Sequence, residues 1–193
     1  MGKKVLLAVC FIAIGFYLGN KAYADEHKPE GNGAVSDNRS HKYIGVGKCK
    51  ICHMSEAKGN QYKHWLESKH AKAYEDLASE DAKKTAEKVG LKSEPQKSPE
   101  CLKCHVTAFG VKDDLKEESF DIANGVQCES CHGAGGDYKG LSVMKDKQKS
   151  IAAGLIIPTK ESCVKCHNSE SPNYKEFNYD ESYKKIAHPK PKS

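Results

Sequence analysis

The stretch from Cys101 to Gly136 reads CLKCHVTAFGVKDDLKEESFDIANGVQCESCHGAGG and contains one five-residue pattern twice, at 101–105 and at 128–132. Two further copies flank this stretch, Cys-Lys-Ile-Cys-His at 49–53 and Cys-Val-Lys-Cys-His at 163–167. A fourfold Cys-x-x-Cys-His repeat is the strongest signal in the chain. We therefore expect the fold to be organised around it.

The repeat has a direct chemical interpretation. Two thiols three residues apart can both bond to one haem as thioethers, and the histidine that follows can then bind the iron. Each copy predicts one covalently attached haem c, and four copies predict four. The predicted attachment cysteines are Cys49, Cys52, Cys101, Cys104, Cys128, Cys131, Cys163 and Cys166, and the predicted iron ligands are His53, His105, His132 and His167.

Two other arrangements of these cysteines are possible. Pairs of Cys-x-x-Cys also form four-thiolate zinc sites, and eight thiols in an exported chain could form a disulfide framework. Neither arrangement needs a histidine directly after every second cysteine, so haem attachment is the preferred interpretation.

The beginning of the chain predicts export. A short basic start at 1–4, an apolar run at 5–19 and an Ala-x-Ala end at 22–24 are typical of a cleaved secretory signal. The apolar run is shorter than the ~20 residues that cross a membrane. We expect a signal peptide at 1–24, a periplasmic protein with no membrane anchor after cleavage, and an extracellular or outer-surface location as the alternative.

The remainder divides into a polar segment at 25–42, predicted to be a flexible arm, and one domain at 43–193. After residue 24 the chain has only 25 Leu, Ile, Val and Phe residues, a level at which an ordinary chain stays disordered. Haem faces can supply the missing apolar core. We therefore predict a mainly α-helical, small multihaem cytochrome c with little regular sheet, and an apoprotein that is largely unfolded.

The net charge of the chain excludes few classes of function. The formal net charge is +5, and three of the lysines, Lys3, Lys4 and Lys21, belong to the predicted signal. The other lysines are spread along the chain, which predicts a solvated surface and no nucleic-acid partner.

Further histidines and a methionine are candidates for the second axial position on iron. His70 lies on the apolar side of a helix predicted at Ser55–Ala78, so we expect an axial role for it, whereas His64 points away from it on the same helix and is expected at the surface. Met144 falls in a helix predicted at 142–153 and is either core filler or a thioether ligand. His188 precedes Pro189, and the resulting extended backbone could turn its ring towards an iron.

Smaller features complete the pattern. Ser79 predicts the start of a helix that ends at Gly90, and Thr159 predicts the start of a helix that carries the fourth motif. A last helix is predicted within 174–186. The glycines at 133, 135 and 136 would let the backbone approach a porphyrin closely, or would simply form a turn. His27 and His41 in the arm are expected at the surface.

These residues resemble the tetrahaem cytochrome c-554 family. The likeness is carried by Trp65 and the run 70–73 after the first motif, by 109–110 after the second, and by 125–133 around the third. The resemblance implies a mainly helical fold with haems in close pairs. It also implies that His70 is the distal ligand of the third haem, that His188 is the distal ligand of the first, and that the haem held by His105 is five-coordinate.

The chain departs from the family pattern at the fourth haem. No histidine occurs at 140–144, shortly after the third motif, where the family has its distal ligand. Met144, a relocated His64 and an empty position are the alternatives. A methionine ligand would raise the reduction potential of that haem.

The preferred function is electron relay between a redox donor and a redox acceptor through short-lived complexes. The resemblance implies a donor like hydroxylamine oxidoreductase, and a membrane quinol-linked cytochrome is another possible partner. One alternative is an enzyme that reduces nitric oxide or a related small oxide at an open His105 haem. The other is a subunit of an extracellular haem filament, in which His27 or His41 would be a ligand to a haem of the neighbouring subunit.

Overall fold

A computed structural model describes residues 41–190 of the chain. The predicted signal peptide at 1–24, most of the predicted arm at 25–42 and the last three residues lie outside the described residues, and so does His27. All four Cys-x-x-Cys-His motifs lie within them.

The fold is mainly α-helical, as predicted. In the described part of the chain, the strand-like pairing that occurs is one isolated parallel bridge between Tyr43 and Lys116. Short helices joined by turns make up the rest. The α-helices are α1 (Val46–His53), α2 (Gln61–Leu66), α3 (Ala73–Asp76), α4 (Glu80–Lys88), α5 (Pro99–His105), α6 (Cys128–His132), α7 (Leu141–Met144), α8 (Lys147–Ala152), α9 (Lys160–Val164) and α10 (Tyr179–Ile186).

Local capping signals explain several helix starts. The Ser79 hydroxyl accepts a hydrogen bond from the Ala82 N–H at the start of α4, as predicted, and Gly90 follows the helix with a φ of 76°. The predicted helix after Thr159 is α9, where the Thr159 N–H donates to Ser162 Oγ. The last predicted helix is present as α10, which is shorter than the predicted range.

The prediction of one long helix at Ser55–Ala78 is wrong. The segment consists of a 3₁₀ turn at Glu56–Lys58, then α2 and α3. Gly59 and Asn60 have φ angles of 98° and 39°, which end the first turn and allow Asn60 to cap α2. Between α2 and α3 the His70 carbonyl accepts from the N–H groups of Ala73 and Val126. This tertiary contact replaces helical bonding and turns the chain.

The helix predicted at 142–153 is also divided. Asp146 ends the first part, and its carboxylate accepts from the N–H groups of Gln148 and Lys149 to begin α8. An aspartate competes for nearby backbone N–H groups and so favours a cap over a helix interior. Gly154, with a φ of 98°, follows α8 as the predicted stop.

The glycines after the third motif accommodate protein backbone. A Cβ on Gly135 would lie 2.8 Å from Ile44 Cδ1, and a Cβ on Gly136 would lie 2.9 Å from the Lys42 carbonyl oxygen. The Gly136 N–H donates to that same oxygen at 2.8 Å. Here the close approach is made by the segment 42–44 that leads into α1.

The apolar core is small. The buried apolar residues of the described chain are Ile44, Val46, Trp65, Ala73, Leu77, Ala86, Val106, Ala134 and Tyr138. Trp65 packs on Tyr62 and donates its indole N–H to the Val126 carbonyl at 2.8 Å. In residues 41–190, no helix has both the length and the apolar character to cross a bilayer.

Candidate haem sites

The motifs occupy short helices that present their cysteines from one turn. The first three motifs end α1, α5 and α6, each of which finishes at its motif histidine. The fourth begins in α9, and Cys166 and His167 follow the helix. All eight cysteines of residues 41–190 are unpaired, so the disulfide alternative is not formed there. Over the same range no three His, Cys, Asp or Glu side chains converge as they would in a metal cage.

The motifs come together in pairs. The thiols of Cys49 and Cys128 lie next to each other, which brings the first motif to the third, and their interaction raises the pKa of Cys49 and lowers that of Cys128. The thiol of Cys104 likewise meets that of Cys166, which joins the second motif to the fourth. Burial is the larger cause at Cys166 and raises its pKa to about 12.

Three of the four motif histidines have their Nδ1 atom held by an oxygen acceptor. His105 Nδ1 lies 2.7 Å from the Ala73 carbonyl oxygen and His132 Nδ1 lies 3.1 Å from that of Ile156. His53 Nδ1 lies 3.1 Å from Gln61 Oε1. A carbonyl oxygen can only accept, so Nδ1 carries the proton and Nε2 keeps its lone pair for a metal.

The fourth motif histidine is held by stacking. The ring of His167 lies parallel to that of Phe177, with centroids 4.7 Å apart and planes 15° apart. Phe177 precedes α10, so the C-terminal segment packs against the fourth motif. This contact orients His167 without an Nδ1 partner of the kind that the other three have.

Two motif histidines each lie next to a second imidazole, with the ring planes 70° apart for His70 and His167 and 44° apart for His132 and His188. The rings of His70 and His167 have centroids 6.0 Å apart, and those of His132 and His188 have centroids 5.9 Å apart. Two imidazoles bound to opposite sides of one metal through bonds of about 2.0 Å would have centroids about 6 Å apart. Both separations therefore leave the room that one metal ion between the rings would need.

This pairing differs from the one that the resemblance implies. The ring contacts put His70 next to His167 of the fourth motif and His188 next to His132 of the third. At the same time, Gln61 joins Pro189 to His53 of the first motif. His70 is brought there by the turn between α2 and α3, where its carbonyl binds Val126. The fourth motif thus has an imidazole neighbour although no histidine occurs at 140–144.

The other candidate ligands lie elsewhere. His64 is exposed on α2, and Met144 is half-buried at the end of α7. His41 is held through Nδ1 by the Asp137 carboxylate of the same chain. In residues 41–190 the rings of His53 and His105 are not stacked against a second imidazole.

The electrostatics of the ring pairs favour neutral imidazole. Burial lowers the pKa of His70, and the nearby His167 ring lowers it further. Burial also lowers the pKa of His132 and of His167, and at His132 the bond to the Ile156 carbonyl partly opposes the effect. Neutral imidazole is the form that binds a metal.

Several apolar side chains beside the motifs are exposed and would be covered by a bound apolar group. Ile51, between the cysteines of the first motif, is 71% exposed, and Met54 after it is 51% exposed. Phe109 after the second motif and Val164 inside the fourth are also exposed. Paired thiols, histidines with a free Nε2 and uncovered apolar surface suit a haem, and together with the helical fold they define a c-type cytochrome.

The comparisons with known proteins agree with this class. Residues 48–133 match the family described as cytochrome c554 and c-prime. The chain is 33% identical over 141 residues to cytochrome c-554 of Nitrosomonas europaea, and this similarity covers 65% of the chain and 57% of the relative. No solved structure matches the chain. Over residues 48–133, which carry the first three motifs, the chain is thus similar to the cytochrome c554 and c-prime family.

Three functional contacts were not predicted from the sequence. Gln61 holds His53, Glu129 accepts three backbone N–H groups, and the Tyr138 hydroxyl donates to the Gly133 carbonyl at 2.7 Å. Glu129 stands between the two cysteines of its motif, where the other motifs have no acidic residue. This acidic residue inside the motif was the one sequence feature that could have indicated the contacts of Glu129.

Proposed function

We propose that the chain is an exported cytochrome that binds four haem c groups, one at each motif, and relays electrons between redox proteins in the periplasm. The observation that carries the proposal is the two pairs of neighbouring rings, His70 with His167 and His132 with His188, at 6.0 and 5.9 Å. Haem c, when bound, supplies an iron that accepts and returns single electrons.

The ring pairs favour relay over substrate chemistry. At the third and fourth motifs, two imidazoles would be available to hold one iron, which would leave it no open position for a substrate. The Nδ1 contact of His132 and the stacking of His167 hold one ring of each pair in place, so the ligands need little rearrangement between oxidation states. Because the first motif lies against the third and the second lies near the fourth, haems attached to them would lie close together.

The surface around the motifs suits transient partners. Exposed lysines lie within or next to three motifs: Lys48, Lys50, Lys103 and Lys165. Such charges attract an acidic partner and accelerate its association without creating a large interface. A hydroxylamine-oxidoreductase-like donor or a quinol-linked cytochrome is the class of partner that we propose. The chain spans 57% of the length of its relative, so we propose no more specific partner from that similarity.

Mass spectrometry and a pyridine haemochrome assay on exported protein test the haem count. We expect the mass of the chain after residue 24 plus four haems. A mass equal to the bare polypeptide would contradict the proposal.

Electron paramagnetic resonance of the oxidised protein tests the ligands. His70→Ala and His188→Ala should each convert one low-spin haem to high spin, whereas the exposed His64→Ala should convert none. A high-spin component in the unmodified protein that changes with nitric oxide would instead favour the reductase alternative at His105 or His53.

A further inference from the structure

The start of α1 is capped by residues in and next to another motif. The first N–H groups of a helix have no partner within the helix, and a side chain at the N-cap usually supplies one. The N-cap of α1 is Gly45, which has no side chain. The N–H groups of Ile44 and Gly45 donate instead to Glu129 at 2.9 and 2.8 Å, and the N–H of Val46 donates to Gln127 Oε1 at 2.8 Å.

One capping residue lies in the third motif and the other lies directly before it. Gln127 directly precedes Cys128, and Glu129 follows it. They are almost completely buried, with 1% and 2% of their surface exposed. A buried polar group needs partners for every donor and acceptor, because one left without a partner costs the full penalty of leaving water. The side-chain contacts of Gln127 and Glu129 are therefore specific in direction and distance.

Each capping residue is itself held in place. Glu129 Oε1 also accepts from the Gly135 N–H at 2.7 Å. The Gln127 amide donates to the Asp121 carbonyl at 2.9 Å, and its backbone N–H donates to Thr107 Oγ1 at 2.7 Å. These two side chains are held by hydrogen bonds near the third motif and also bind the start of α1. They therefore connect α1 rigidly to α6. The thiols of Cys49 and Cys128 meet next to this connection.

We infer that Gln127 and Glu129 are positioning residues that set the placement of the first haem attachment helix against the third, and with it the electronic contact between their two haem groups. This inference rests on the proposed function. Without the connection, α1 would keep its own cysteines and histidine but lose its register against α6. The rate of electron exchange between the two sites would change although neither residue touches an iron.

The second and fourth motifs are connected in a weaker way, which provides a matched control. Lys103, inside the second motif, forms an ion pair with Glu170 after the fourth at 2.7 Å. Both side chains are exposed, by 46% and 71%, so water and salt screen the pair. Glu170→Gln removes a carboxylate from a connection between motifs just as Glu129→Gln does, but from the surface.

The test compares Glu129→Gln and Gln127→Asn with Glu170→Gln in the full exported holoprotein. Mass spectrometry first confirms the haem count of each variant. Low-temperature paramagnetic resonance of the oxidised protein then reports spin coupling between neighbouring irons, and spectropotentiometry reports the midpoint potentials. We expect both buried variants to retain their haems, to alter the spin-coupled signals and potentials of one pair of haems, and to slow electron exchange within it several-fold. Glu170→Gln should match the unmodified protein.

The outcomes separate the inference from the proposed function. Fewer than four haems in the unmodified protein would contradict the function. Full haem content with unchanged coupling and potentials in both buried variants would overturn the inference alone, even if their melting temperatures fell, because the residues would then only stabilise the fold. If Glu129→Gln does not assemble, Gln127→Asn, which shortens a neutral side chain by one carbon, decides the matter in the same way.

Discussion

At the scale of single residues, the site depends on groups that hold the ligands rather than on the ligands alone. Gln61 receives His53 Nδ1 through its carbonyl oxygen and donates its amide to the Pro189 carbonyl at 2.8 Å. One side chain thus orients a motif histidine and binds the residue that follows His188. A ring that donates a hydrogen bond is a stronger ligand and favours the more positively charged metal state.

Replacement of Gln61 is expected to change a reduction potential. Gln61→Leu removes a hydrogen bond worth about 1 kcal/mol, so the haem held by His53 should become easier to reduce by about 40 mV. Gln61→Glu keeps an acceptor for His53 and should not show this rise. Gln96→Leu is the control, since the Gln96 amide donates only to the Tyr74 carbonyl. Spectropotentiometric titration measures the change, and an equal rise in Gln96→Leu would contradict the role of Gln61.

Tyr138 should make the fold sensitive to alkali. Burial raises the pKa of its hydroxyl above the ordinary value of 10.0, so the folded protein keeps the proton after the unfolded chain has begun to lose it. Stability contributed by Tyr138 is therefore present at neutral pH and falls as the pH rises above about 10.

The matching variant is Tyr138→Phe, which loses the hydrogen bond to the Gly133 carbonyl and should be less stable by about 1 kcal/mol at pH 7. The difference between the two proteins should shrink above pH 10. Thermal unfolding at several pH values measures it, and a difference that grows with pH would show that the pKa of the hydroxyl is lower in the folded protein than in the unfolded chain.

At the scale of elements, the sequence predicted what local chemistry decides. The cap at Ser79, the helix that begins after Thr159 and the helix α10 depend on residues a few positions apart, and they were predicted correctly or nearly so. The helix at Ser55–Ala78 was not, because Gly59 and Asn60 interrupt it first and its second interruption involves Val126, which is distant in sequence and donates to the His70 carbonyl. The ring pairs and the capping of α1 by Glu129 depend on the same kind of distant contact. No periodicity or spacing within one segment reports them.

The contact between Gly125 and the turn at His70 gives a prediction at this scale. Gly125 has a φ of 65°, and a Cβ there would lie 2.7 Å from the His70 carbonyl oxygen. Gly125→Ala should destabilise the fold by more than the ~1–2 kcal/mol that a left-handed conformation costs a residue other than glycine. It should also displace His70 and reduce the low-spin signal of one haem.

Two other glycines distinguish the cost of the positive φ angle from the cost of the contact with the His70 carbonyl. Gly110 has a φ of 74° but open space around its Cβ position, and Gly140 has open space and a φ of −64°. Gly110→Ala should show the conformational cost alone, and Gly140→Ala should show almost none. If melting temperatures and spectra of Gly110→Ala and Gly125→Ala were the same, the collision with the His70 carbonyl would have no effect.

At the scale of the whole molecule, the fold has less apolar core than its length requires. Few apolar side chains are buried, while Ile51, Leu141 and Ile157 are 71%, 60% and 52% exposed. The Ile44 to Val46 segment and the third motif are joined mainly by hydrogen bonds. Such contacts give direction but contribute little net free energy compared with apolar burial.

The protein without haem is therefore expected to be largely unfolded. Produced without haem attachment, the chain should have much less helix by circular dichroism than the holoprotein and should melt without a cooperative transition. Holoprotein from the same vector, made with attachment, is the control. Native-like helix content and cooperative melting of the apoprotein would show that the polypeptide core is sufficient.

The capping of α1 by the third motif has a consequence for biogenesis. A chain that is synthesised and translocated from its N-terminus presents Cys49 and Cys52 long before Gln127 and Glu129 emerge to bind the residues in front of them. If haem is attached as each cysteine pair emerges, the first pair is modified while its helix has no capping partner, and final docking waits until the third motif has arrived. Maturation of the first site is thus completed by a later part of the chain, so truncation between the first and third motifs would leave a modified but undocked N-terminal fragment.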